Sequence, residues 1–170
     1  MNEKTGITGH ISWKLIDASG KVKSEGESDN IVTTQGDHYY VDQLSDAGGS
    51  PAALMVLGTG AGTPAKADTW VSGYFEGNGT TAATAGEVAI STHASSASVL
   101  QYVGTFSAGY ATQDGITRVG LANMVASADG NGTPDDDTTF FIAHGTIDPT
   151  VNKGASDTLV VSWYHQLLGS

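Results

Sequence analysis

Apolar and polar positions alternate cleanly at the start of the chain. Ile7, Gly9, Ile11, Trp13 and Leu15 interleave with Thr8, His10, Ser12 and Lys14. A period of two places one set on a buried face, so the pattern predicts a half-buried strand over about Gly6 to Ile16. Asp17-Ala18-Ser19-Gly20 has turn chemistry, with side chains that bond the local backbone and a glycine for the left-handed position. Lys21 to Ser28 then reads as a polar strand at a sheet edge, where charge discourages pairing with other chains. Between Asn30 and Gly49 the period changes. Thr33 or Thr34 can cap a helix, Asp37 suits its first turn, and Tyr40, Val41 and Leu44 fall on one helical face. This predicts a single helix from about Gln35 to Asp46, packed on a sheet rim and ended by Gly48-Gly49 and Pro51.

The stretch Ala53 to Leu57 is a short apolar run closed by Gly58-Thr59-Gly60-Ala61-Gly62-Thr63-Pro64. It predicts a strand buried on both faces that opens into a long irregular loop, with Ala67 to Val71 turning Trp70 back to the core. Tyr74 to Ala85 reads as an excursion rich in Gly, Thr and Ala. Val88 to Ser91 is a weak strand and His93 to Ser98 a loop. Further strands are expected at Val99 to Phe106, Ile116 to Val125, Thr138 to His144 and Thr158 to Leu167. Turns are expected at Ala108-Gly109 and Asp114-Gly115, a loop at Ala126 to Asp137, and a short link holding Asp148-Pro149 and Lys153-Gly154. Short strands with turn signals between them and one helix predict a mainly β, antiparallel sandwich of jelly-roll type. At 170 residues, one domain spanning 1–170 is expected.

Composition narrows the function classes. Charged residues are 15%, glycine numbers 23, and cysteine is absent, so neither disulfides nor thiolate metal sites are available. Eighteen acidic against seven basic residues leave a formal charge of −11. That charge repels phosphates, so neither nucleic acid nor an anionic membrane is an expected partner. The opening MNEKTGITGH lacks an apolar signal region, which predicts a protein made in a cytoplasm.

No catalytic constellation emerges. GxSxG and HExxH are missing, and His10, His38, His93, His144 and His165 show no ligand spacing. The glycines at 58, 60 and 62 are spaced GxGxG and Pro64 follows, whereas a dinucleotide loop needs GxGxxG running into a helix. The acidic stretch 129–137 offers Asp129, Asn131, Asp135 and Asp137 as candidate calcium ligands. Its twelfth position is Phe140 instead of a bidentate Glu, so a solvated loop is the stronger reading and no metal or other cofactor is expected. Trp13, Trp70, Trp163, Tyr102, Phe106, Phe140 and Phe141 suit a core better than a sugar site, because they sit on alternating strand positions.

The order of motifs carries one resemblance. A helix (Gln35–Leu44) precedes Leu57-Gly58-Thr59-Gly60 with Pro64 and Asp68-Thr69. Then come Leu100–Phe106, Gly120-Leu121-Ala122, Phe140-Phe141-Ile142, and a final segment with Ile147, Lys153, Asp157-Thr158-Leu159 and Trp163. Over about Asn30 to His165 this resembles a family of bacteriophage virion proteins that serve as head decoration (cement) proteins, head fibres or tail appendages. The family commonly has an acidic residue before the Gly-Leu of the middle strand; here Arg118-Val119 precede it. The resemblance implies a non-enzymatic structural protein on the capsid surface of a virion, bridging neighbouring copies of the major capsid protein. A homotrimer is expected, since a capsid three-fold position multiplies a small contact. The alternative is a fibre or tail appendage that binds host-surface glycans. The expected contact surface is the 58–69 and 72–98 loops with the amino-terminal segment, and the candidate contact residues are Gly58, Thr59, Gly60, Pro64, Trp70, Tyr74 and Phe75. Loops of this composition can mould to a neighbour.

Overall fold

A computed structural model describes residues 7–45, 51–75, 86–96, 98–123 and 140–167. The elements are β1 (Ile7–Ile16), β2 (Val22–Val32), α1 (Thr34–Ser45), β3 (Leu54–Gly58), β4 (Glu87–Ser96), β5 (Val99–Phe106), β6 (Gln113–Ala122), β7 (Phe141–Lys153) and β8 (Thr158–Leu167). The sheet is antiparallel throughout, as expected, but it closes on itself. The order β1-β2-β7-β6-β3-β4-β5-β8 returns to β1, giving an eight-stranded barrel where a two-sheet sandwich was expected. Closure comes from β8, which pairs along its whole length with β1 on one side and over Leu159–Gln166 with β5 on the other. Neither flank of β8 is an edge, so no gap divides the strands into two sheets.

The register stacks the core. Ile11, Trp13 and Leu15 lie opposite Trp163, Val161 and Leu159, which lie opposite Tyr102, Gly104 and Phe106 on the far side. Apart from Gly104 these residues are at most 3% exposed. Gly145 makes room for them, since a Cβ there would sit 1.9 Å from Ile11 Cδ1.

The first strand, the 17–20 turn, β5 and β8 stand where the alternation places them. β3 is buried at all five positions. Other elements differ. β2 is not an edge strand along its whole length: Asn30, Ile31 and Val32 pair with Gly145, His144 and Ala143 of β7. Only its polar part, Val22–Asp29, keeps β1 as its single ladder partner among the described residues. Asp114-Gly115 is an irregularity inside β6, with Gly115 at φ 75°, instead of a turn. The 148–154 link is strand: β7 runs through a cis Asp148-Pro149 peptide to Lys153. The 93–98 loop belongs largely to a β4–β5 hairpin arm. The 126–137 loop and most of the 74–85 excursion lie outside the described residues.

α1 closes one end of the barrel. Thr33 is its N-cap, with Oγ1 accepting from Gly36 N at 2.9 Å. The expected face of Tyr40, Val41 and Leu44 holds only at Tyr40: Val41 and Leu44 are 61% and 84% exposed, while Gly36, Tyr39 and Tyr40 are buried. Tyr39 Oη accepts from Ala52 N at 2.7 Å, and Tyr40 Oη meets His165 Nδ1 inside the barrel. The far mouth is fastened by a buried cation. Lys153 is 1% exposed, and its Nζ donates to Ser107 O (2.9 Å) and Tyr110 O (2.6 Å). Burial lowers its pKa, and Asp157 opposes that shift. Asp157 accepts from Lys23 Nζ at 2.6 Å and Gly154 N at 2.9 Å, which hold its carboxyl below the usual range.

Candidate interaction surface

The loop that follows β3 folds back as a second layer on the outer wall of β3, β6 and β7. Thr59 N donates to Gly73 O (2.8 Å), Gly60 N donates to Ser72 O (3.0 Å), and Gly58 bridges Tyr74. The approach is close because side chains are missing: a Cβ on Gly60 would lie 2.0 Å from Ser72 Oγ. Gly73, at φ +67°, lies in the left-handed region that glycine enters without strain. Beneath this ladder Val56, Val71 and Phe141 form a small apolar cluster outside the barrel interior, and Trp70 and Tyr74 pack on it. Trp70 stands 5.5 Å from the Phe141 ring and 6.0 Å from the Tyr74 ring. It returns to this satellite cluster, not to the main core.

Two side chains of the barrel wall pin the outer part of the loop. Arg118, 6% exposed, donates from Nη2 to Gly62 O and from Nη1 to Thr117 O; Thr117 Oγ1 donates to Gly60 O at 2.7 Å. His144, 2% exposed, donates from Nδ1 to Asp68 Oδ2 at 2.6 Å, and the same oxygen accepts from Ala65 N at 2.8 Å. Burial pushes the His144 pKa down, against the pull of Asp68. Burial alone would raise the Asp68 carboxyl, but the Ala65 amide and His144 outweigh it and hold it low. Farther along, Lys66 O accepts from Thr34 N (2.8 Å), and Lys66 Nζ pairs with Asp37 (2.6 Å), tying the loop to the start of α1.

The expected contact residues therefore gather in one region but are not equally open. Gly58 is buried, Gly60, Pro64, Trp70, Tyr74 and Phe75 are half-buried, and Thr59 is exposed. Phe75 leans on the main core. Tyr74 Oη donates to Glu87 Oε1 at 2.8 Å. The exposed crest of the platform is made of small residues, among them Ala61, Gly62, Thr63 and Ala65. Arg118 and His144 do the anchoring, and no spacing in the sequence marks them as partners of this loop.

The arrangement has little chemistry to offer. His144 and Asp68 pair as in a catalytic dyad, but the other ring nitrogen, Nε2, is buried without a hydrogen-bond partner. It faces protein, so it has no access to a substrate proton. The remaining histidines do not join it. His10 lies on β1 beside Glu27, His38 and His93 are exposed, and His165 is fully buried within the barrel. His165 Nε2 accepts from Trp163 Nε1 at 2.8 Å, and burial pushes its pKa down to about 3. Among the described residues no three His, Asp or Glu side chains cluster for a metal. The candidate ligands Asp129, Asn131, Asp135 and Asp137 lie outside the described residues. A groove of about 570 Å³ between β1, the end of β2 and α1 holds Lys66 and Asp37 already paired to each other.

The fold and this surface define a class: a closed antiparallel barrel carrying a buttressed loop platform. No family model, curated protein or solved structure matches the chain.

Proposed function

We propose that this is a non-enzymatic phage virion protein, a decoration (cement) protein whose 58–75 platform bridges neighbouring copies of the major capsid protein. The observation that carries the reading is the platform itself. It is an outward layer of small, solvent-open residues held from below by backbone ladders, Arg118 and His144. A surface fixed before contact loses little conformational entropy on binding. The motif order resembling phage virion proteins supports the capsid partner, and a trimer suits a capsid three-fold position. The test is the protein content of purified particles by quantitative mass spectrometry. Copies on the order of the capsid lattice sites are expected; a handful per particle rejects the reading. The half-buried Trp70 and Tyr74 favour a second reading, a glycan-binding appendage, because aromatic faces stack on sugars. Few copies per particle, with retention on host-envelope polysaccharide, would select it.

A further inference from the structure

Among the described residues, the β4–β5 hairpin has an edge without a ladder partner. β4 pairs with β3 only over Glu87–Ala89, and Ile90 N makes the last bond on that side, to Ala53 O at 3.1 Å. Peptide groups alternate in direction along an antiparallel strand, so Thr92 and Ala94 turn their N–H and C=O groups to the same open side. β4 continues to Ser96, bonded to β5 alone among the described residues. Ser91 to Ser96 are all exposed. A strand in a barrel wall buries every second residue, so this part of the hairpin projects past the wall and opens both faces as well as its edge.

Among the described residues, the part of β2 whose ladder partner is β1 alone is guarded by charge, and this edge is not. Val22–Asp29 of β2 carries Lys23, Glu25, Glu27 and Asp29, charges that repel an incoming strand. From Val88 to Gln113 the sequence contains no Asp, Glu, Lys or Arg at all, in a chain of net charge −11. Two copies of so acidic a molecule repel each other wherever carboxylates face. The neutral hairpin is where they can meet. A basic partner would be drawn to the acidic surface elsewhere, and a strand of high charge would gain nothing here.

We propose that β4 is a strand-addition site for a second copy of this chain, with the two β4 edges pairing antiparallel about a two-fold axis. An edge that pairs with itself is an isologous contact and closes at two subunits. The segment is short, so the pair is a weak one that forms with rising concentration. This contact is separate from the platform: capsid binding can fail while the pair survives, and the reverse.

Sedimentation velocity from about 5 to 500 µM tests it, over the range a small interface spans. Wild type is expected to shift from monomer toward dimer. Thr92→Pro removes an outward donor and leaves the β5 ladder intact, and Ala94→Lys places like charges across the axis. Each is expected to weaken pairing at least about tenfold. Mixing Ala94→Lys with Ala94→Glu is expected to restore a heterodimer, which mere damage to the hairpin would not do. Should the variants misfold, amide exchange on wild type decides. Thr92 and Ala94 must gain protection with protein concentration. A monomer throughout, a multimer indifferent to these substitutions, or protection that appears only when capsid is added overturns the proposal.

Discussion

His165 shows what a buried polar residue does in this barrel. Trp163 Nε1 and Asn30 Nδ2 both approach its Nε2, at 2.8 and 3.1 Å, so that nitrogen is the acceptor and Nδ1 carries the proton toward Tyr40. A second proton would face two donors and find no acceptor. His144 is held neutral in a similar way, with its Nε2 lacking any partner that could accept. Both folded-state pKa values lie below the unfolded value of about 6.5, so the unfolded chain takes up more protons as pH falls. Stability is therefore full above about pH 6.5 and declines below it. For His165 alone the loss is about 2 kcal/mol by pH 5. Urea midpoints at pH 7, 6 and 5 check this, and His165→Gln is expected to lower stability throughout while flattening the slope. A flat wild-type profile would contradict the neutral-histidine account. Neither histidine could be sorted from the other three in the sequence. His165 reads as the outcome of one strand's alternation, but its partners Tyr40 and Asn30 come from segments more than a hundred residues away.

At the scale of elements, α1 marks where pattern reading fails and why. Its termini are legible: Thr33 caps, Asp37 sits in the first turn, and the helix ends at Ser45. Its face was legible only in part: Tyr40 of the expected face is buried, but Val41 and Leu44 of that face are exposed and Tyr39 is buried instead. The tyrosines win the interior because both hydroxyls find partners there, the Ala52 amide and His165. Thr33 is fully buried and also donates from Oγ1 to Phe141 O, coupling the cap to β7. Thr33→Ala is expected to cost about 1–2 kcal/mol and Thr33→Ser much less, measured by urea denaturation. Equal losses for both would show that the methyl group, not the hydroxyl, matters. The β4 arm failed for another reason. Small polar residues exposed on both faces produce no period, and hydrogen bonding to β5 alone makes them a strand.

For the whole molecule, closure ties the first strand to the last. β8 holds β1 and β5 together, so neither end of the chain can leave without opening the core of Trp13, Trp163 and Phe106. One cooperative transition is expected. In a Trp70→Phe background, Trp13 and Trp163 report the barrel interior. Their emission and the far-UV circular dichroism should change together in urea, with a slope near 2 kcal/mol per M. Emission that changes ahead of the backbone signal would mean that the barrel opens in stages.

Local pattern was enough: alternation placed β1, β5 and β8, an unbroken apolar run placed β3, and capping and turn residues gave the helix start and the antiparallel class. Those features depend on neighbours a few residues apart, whose side-chain directions the backbone period dictates. Barrel closure, the inward turn of Tyr39 in place of Val41 and Leu44, and the anchoring of the platform by Arg118 and His144 came from elsewhere. Each depends on which distant segment lies opposite, a choice that hydrogen-bond register and packing make once the chain has collapsed. Alternation assigns a side chain to the inside; it carries no information about whether that inside lies between two sheets or within one closed sheet.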